Sequence, residues 1–257
     1  MSRLSDFRYR DFYLASLIFV LFGLSLDSIT NIYRGLINIL TSPSVLVSDY
    51  MEIGGMGASF VNAGSMLFLS VFVAKRSGAR LTGAHISGLF TVIGFSFFGK
   101  NVLNTIPLML GVYLYCKYRK LDVSNYMHIM CFVTGISPVV SLFYFGLNFN
   151  LVRGIILGTL IGLLIGFIII PVSASMISFH DGYSLYNVGF SLGVIGIIIA
   201  GNLRMFDRII PEVNIIYTGS DLYPMVFLLI ICLIFVFYGL IKNKGLKGYG
   251  KLLKQSG

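Results

Sequence analysis

The chain has 257 residues, 56% of them apolar and 11% charged, with a mean hydropathy of +0.88. A soluble domain carries roughly a quarter charged residues, so this composition excludes an ordinary soluble enzyme, a disordered chain and a disulfide-built module. It leaves a polytopic membrane protein. The formal charge of +9 sits in short basic clusters between apolar runs, which sets topology and lacks the aromatic interleaving of a nucleic-acid surface.

Apolar runs fall at about 12–32, 53–74, 82–98, 102–116, 127–146, 151–175, 185–202 and 222–241. Most approach the ~20 residues that a bilayer core requires. The third and fourth are short and separated by Gly99-Lys100-Asn101. They read either as two spans or as a broken or re-entrant pair. Placing Arg3, Arg8 and Arg10 in the cytoplasm puts Lys75, Arg76 and Arg80 inside after two crossings, and Lys117, Arg119 and Lys120 inside after four. The turn Gly146–Asn150 then falls outside. The basic tail 242–257, with Lys242, Lys244, Lys247, Lys251 and Lys254, ends inside. Arg204 and Arg208 fall on the other side, accompanied by Asp207 and Glu212. The sixth run carries Gly154, Gly158, Gly162 and Gly166 at four-residue spacing, a smooth ridge that lets another helix approach closely.

One internal repeat stands out. Gly57-Ala58-Ser59-Phe60-Val61-Asn62-Ala63-Gly64 and Gly182-Tyr183-Ser184-Leu185-Tyr186-Asn187-Val188-Gly189 share G-x-S-[FL]-x-N-x-G at an offset of 125 residues. The similarity extends over about 34–67 and 153–192. By the topology above, the first copy starts outside and the second inside, so the repeat is inverted. Inverted repeats with Gly-interrupted helices point to a transport site near the midplane, because a helix that starts within the membrane aims free N–H groups at the solute. The candidate solute-binding residues are Gly57, Ser59, Asn62, Gly182, Ser184 and Asn187, together with Lys100 and Asp181. Asn62 and Asn187 read equally well as interhelical hydrogen-bond glue. Lys100 is either a functional charge at depth or a snorkelling interface mark. Asp49, Glu52 and Asp181 read either as solvated interfacial acids or as counter-charges for Lys100 or for a coupling cation, and His85 and His180 either as local hydrogen-bonders or as proton carriers.

Cys116, Cys131 and Cys232 lack metal-ligand spacing and read as small buried hydrophobes. No metal or cofactor is expected. Gly57-Ala58-Ser59 and Gly182-Tyr183-Ser184 begin a G-x-S-x-G pattern, but Val61 and Tyr186 replace its last Gly. An intramembrane hydrolase is therefore a minor reading, and the chain is expected not to be an enzyme.

Three segments resemble a known family: Asp49–Ala58 with Phe60–Gly64, Thr91–Phe95 with Phe98–Asn101, and His180–Tyr183 with Leu185–Phe190. The resemblance, over roughly 20–206, is to multi-pass membrane proteins of Gram-positive bacteria catalogued as domain of unknown function 1576. It implies a bacterial inner membrane and brings no assigned activity. Relatives with duplicated halves imply a partner half or a homo-oligomer. The expected fold is all-α, one transmembrane domain over 1–257 with about eight segments, an inverted repeat and broken helices. The expected function is a small-solute transporter or channel in the cell membrane with both termini cytoplasmic, its partners being the lipid bilayer and the solute. The alternative is a non-transporting scaffold or accessory subunit.

Overall fold

The structure, a computed structural model, describes residues 8–45, 47–184, 186–210, 213–246 and 248–253. Arg3, Leu185, Glu212, Lys247 and Lys254, named above, lie outside the described residues. The helices are α1 (Tyr9–Leu26), α2 (Ile29–Thr41), α3 (Tyr50–Gly54), α4 (Met56–Arg76), α5 (Gly83–Phe95), α6 (Val102–Tyr118), α7 (Met127–Val133), α8 (Ser137–Ser141), α9 (Leu151–His180), α10 (Asn187–Met205), α11 (Leu222–Lys242) and α12 (Tyr249–Leu252). Two short strands, β1 (Val47–Ser48) and β2 (Asn214–Ile215), pair in parallel. With its 3-10 turns and a π turn at Leu142–Gly146, the stretch around α7 and α8 forms one irregular run, Val123–Gly146.

Among the described residues, six helical runs are long and apolar enough to cross a bilayer: α1, α4, Val123–Gly146, α9, α10 and most of α11. The sequence predicts about eight. The shortfall lies in α5 and α6, with 13 and 17 residues. At 1.5 Å per residue, α5 covers about 20 Å of a core roughly 30 Å thick.

The chain forms two compact units, Met1–Tyr217 and Thr218–Gly257. The second contains α11, whose spanning stretch has a mean hydropathy of 2.8 and presents exposed apolar side chains such as Leu228, Ile234 and Phe237.

In the first unit, α1 packs along α4 and α6 along α9. Lipid is as apolar as leucine, so helices in a bilayer associate by close packing rather than by hiding oil from water. The glycine ridge of α9 does this. A Cβ on Gly154 would lie 2.7 Å from the Tyr144 carbonyl oxygen, one on Gly162 would lie 2.7 Å from the Pro107 ring, and one on Gly166 would collide with the Leu108 carbonyl. The ridge is a packing face against α6 and the 140–144 turn.

Helix starts in apolar surroundings have no water for their first N–H groups, and side chains fill the role. Ser28 accepts from the N–H of Asn31, Asp49 from Met51, Thr82 from His85, Asn101 from Asn104 and Asn150 from Arg153. In the exposed turn before α7, the Ser124 backbone N–H and side chain hold the Asp122 carboxyl below the usual carboxylate range.

Contacts define two ends of this unit. At one, the Tyr9 hydroxyl donates to the Ala79 carbonyl (2.7 Å) and Lys75 lies over the Tyr13 ring. The Tyr50 N–H, just past β1, donates to the Phe97 carbonyl ahead of α6, so α4 and α6 both run from the β1 end to this one and bring the basic residues 75–80 and 117–120 to it. At the other end, β1 meets β2, and Val45 packs with Leu142, Leu147, Leu203, Ile210 and Val213. Arg208, which breaks the basic pattern, stacks over Phe149 at 4.9 Å.

Candidate functional site

The most polar buried region is the tip between α5 and α6. Gly99 sits at φ +87, a conformation that glycine reaches without steric cost. It lets the chain reverse between Phe95 and Val102. Ser96, Asn101 and Asn104 are fully buried, and Lys100 is 1% exposed.

Amide and hydroxyl groups from four elements hold this tip. Asn62, in the second turn of α4, donates from Nδ2 to the carbonyls of Ser96 (2.7 Å) and Lys100 (2.9 Å). Asn104 donates to the Gly99 carbonyl (2.9 Å) and to Ser141 Oγ (2.8 Å), and Ser137 Oγ donates to Gly99 as well (3.2 Å). Asn101 Nδ2 donates to the Ile39 carbonyl and to Tyr50 Oη, both at 3.2 Å. Tyr50 also shares a 2.8 Å hydrogen bond with Ser44 Oγ, and its N–H donates to the Phe97 carbonyl. Thus α2 and α3 close over the tip.

Lys100 Nζ is the exception to this satisfied network. It has no hydrogen-bond partner. Its neighbours are the Phe95 ring, 5.3 Å away at the centroid, and Cys131, within electrostatic reach. The expected counter-charges lie elsewhere. Asp49 spends its carboxylate on the N–H groups of Met51 (2.9 Å) and Tyr217 (3.1 Å). Glu52 and Asp181 are exposed. The ion pair found among the described residues is Arg10–Asp11.

The other sequence candidates divide by repeat copy. Gly57 lets α1 approach: a Cβ there would lie 2.9 Å from the Gly23 carbonyl. Ser59 is buried and donates to the Gly55 carbonyl one turn earlier (3.0 Å). In the second copy, Asp181 and Gly182 form a left-handed turn after α9. Asn187 opens α10, and its Nδ2 donates to the Ser173 carbonyl (2.7 Å). The Ser184 N–H donates to His180 Nδ1 (3.3 Å), so Nε2 is the protonated ring nitrogen and donates to Asn187 Oδ1 (2.9 Å). Asn62 and Asn187 share no hydrogen-bond partner. The structure brings Asn62 to Lys100 and places the second copy at the α9–α10 junction. His85 is buried on α5, with Nδ1 3.3 Å from the Arg80 carbonyl and Nε2 unpartnered.

Sequence reasoning missed Tyr50, Asn101, Asn104, Ser137 and Ser141. One signal was available: Asn101-Val102-Leu103-Asn104 has the spacing of a reciprocal cap, and both halves form, at 3.1 and 3.0 Å.

Fold and site together define a multi-pass helical membrane protein with a buried polar tip carrying an unpaired lysine. The chain belongs to the family described as protein of unknown function (DUF1576), whose model matches residues 28–205. No curated protein and no solved structure matches the chain.

Proposed function

We propose that the chain is a small-solute membrane transporter or channel whose site is the tip between α5 and α6. The observation that carries this reading is the Lys100 amine, 1% exposed and without a hydrogen-bond partner. A charge at membrane depth is costly and marks a functional position by default. On this reading α5 and α6 are a re-entrant pair, and backbone at that depth is tolerated because protein buries it.

An inverted repeat fits the same picture. α4 begins after β1, and α10 ends before β2. Those strands pair, so the helices carrying the two motifs run in opposite directions between the two ends. Each motif Asn donates its amide to a backbone carbonyl of a neighbouring element. The gathering of basic residues at the α4–α5 end supports placing that end in the cytoplasm of a bacterial cell. A non-enzymatic role is in keeping with Ser59, whose hydroxyl is tied to its own helix.

The test is flux into proteoliposomes over small neutral and anionic solutes, comparing the parent chain with Lys100→Met. Flux that Lys100→Met removes supports the reading. A parent without flux for any solute overturns it in favour of a scaffold. The scaffold reading has its own support in the α9 ridge and in the use of both motif Asn amides as interhelical clamps.

A further inference from the structure

We infer that Lys100 anchors a binding site for a small monovalent anion. This deepens the transport reading by naming the class of solute. When protonated, the buried Lys100 amine offers three donors and no acceptor, and that charge is kept at depth when it is paired and is otherwise shed. Among the described residues the candidate carboxylates are committed or exposed, Glu52 and Asp181 being exposed. Asp49 caps α3 and holds Tyr217, and Asp27 holds Ser28 and Asn31. Cys131 is a buried thiol. α6 begins two residues beyond Lys100, and a helix N-terminus favours negative charge. The titratable groups on α3, α5 and α7 are Tyr50 and Glu52 on α3, His85 on α5, and His128 and Cys131 on α7. Glu52, the carboxylate among them, is exposed. The counter-charge is therefore the solute's. It is small, because Asn101 ties the tip to Ile39 and Tyr50 and leaves the amine enclosed.

The experiment is thermal unfolding of the purified full chain, followed by circular dichroism at fixed sodium and ionic strength. Chloride, nitrate or formate replaces gluconate. The parent should show a saturable rise in Tm with each small anion. Lys100→Met and Lys100→Gln should show none, while Cys131→Ser should keep it. A parent that does not respond overturns the site, and this holds even if neither Lys100 variant folds. An equal response in both Lys100 variants also overturns it. So does a response that appears only in Cys131→Ser, since the thiolate would then be the native partner. The flux assay separates the two claims. Anion binding without flux removes the transport reading and keeps the site, whereas flux of neutral solutes without an anion response does the reverse.

Discussion

The Asn62 amide, on α4, donates to the backbone carbonyls of both Ser96 and Lys100, at 2.7 and 2.9 Å. One side chain thereby fixes the two ends of the tip that carries the buried amine. The repeat motif and the charge at depth, which look separate in the sequence, are one piece of structure.

Asn62→Ala should therefore destabilise the protein by roughly 1 kcal/mol, since interhelical hydrogen bonds in membranes average about 0.6 kcal/mol each and two are lost. Asn187→Ala removes its bonds to Ser173 and His180 and should cost a similar amount. The two share no partner, so the double variant should be additive within about 0.5 kcal/mol. Unfolding midpoints of the three variants check this. A double variant no worse than the poorer single one would mean that the sites are coupled.

Much of this fold is legible in the sequence because bilayer physics is strict. Six of the eight apolar runs become helices of spanning length, and the basic clusters gather at one end. The spacing of Gly154, Gly158, Gly162 and Gly166 identified a contact face, since small residues are what close helix packing requires. Lys100 and Asn62 were legible as polar residues at depth. What could not be read is which long-range partner each finds. Tyr50 lies next to Asp49 and carries no signal of its own in the sequence, yet it is wholly buried on Asn101, 51 positions away. Asp49 and Asp181 read as counter-charges because only their sequence neighbourhood was visible. The N–H groups of Met51 and Tyr217 take the Asp49 carboxylate instead, and Asp181 sits exposed in a left-handed turn.

The glycine ridge gives a graded prediction. Gly166→Leu and Gly158→Leu should abolish correct folding, because their added atoms meet the Leu108 carbonyl and the Tyr144 ring. Gly94→Ala and Gly193→Ala meet nothing within 4 Å and should leave yield and Tm near the parent's. Size-exclusion profiles and unfolding scans of the four variants are the measurement. Normal behaviour of both leucine variants would show that α9 does not pack as described.

Cysteine labelling in intact cells tests the two ends. Cys116 and Cys131 are buried, so replacing the exposed Cys232 gives a quiet background. Cysteines at Arg76 and Lys120 should react together from one side of the membrane, and those at Glu52 and Asn148 from the other. All four positions are exposed. Matching accessibility of Lys120 and Asn148 would break the assignment of ends and, with it, the inverted repeat.

Asp49 holds the end of the unit opposite the basic clusters. Its Oδ1 accepts the Met51 N–H at 2.9 Å and its Oδ2 the Tyr217 N–H at 3.1 Å, while its own N–H donates to the Ile215 carbonyl at 3.0 Å. The carboxylate suits this task because both oxygens accept. Asp49→Ala removes a helix cap, typically worth about 1 kcal/mol, together with the tie to residue 217. Asp49→Asn keeps a single acceptor oxygen, because its NH₂ cannot accept. Hydrogen exchange separates the two bonds. In Asp49→Ala the amides of Met51 and Tyr217 should both lose protection. In Asp49→Asn one should keep its protection and the other lose it. The Ile39 and Lys100 carbonyls keep their side-chain donors in both variants, so the tip should stay closed and the exchange of Asn101 should not change. Faster exchange at Asn101 in either variant would mean that Asp49 also secures the tip, and that opening this end exposes Lys100.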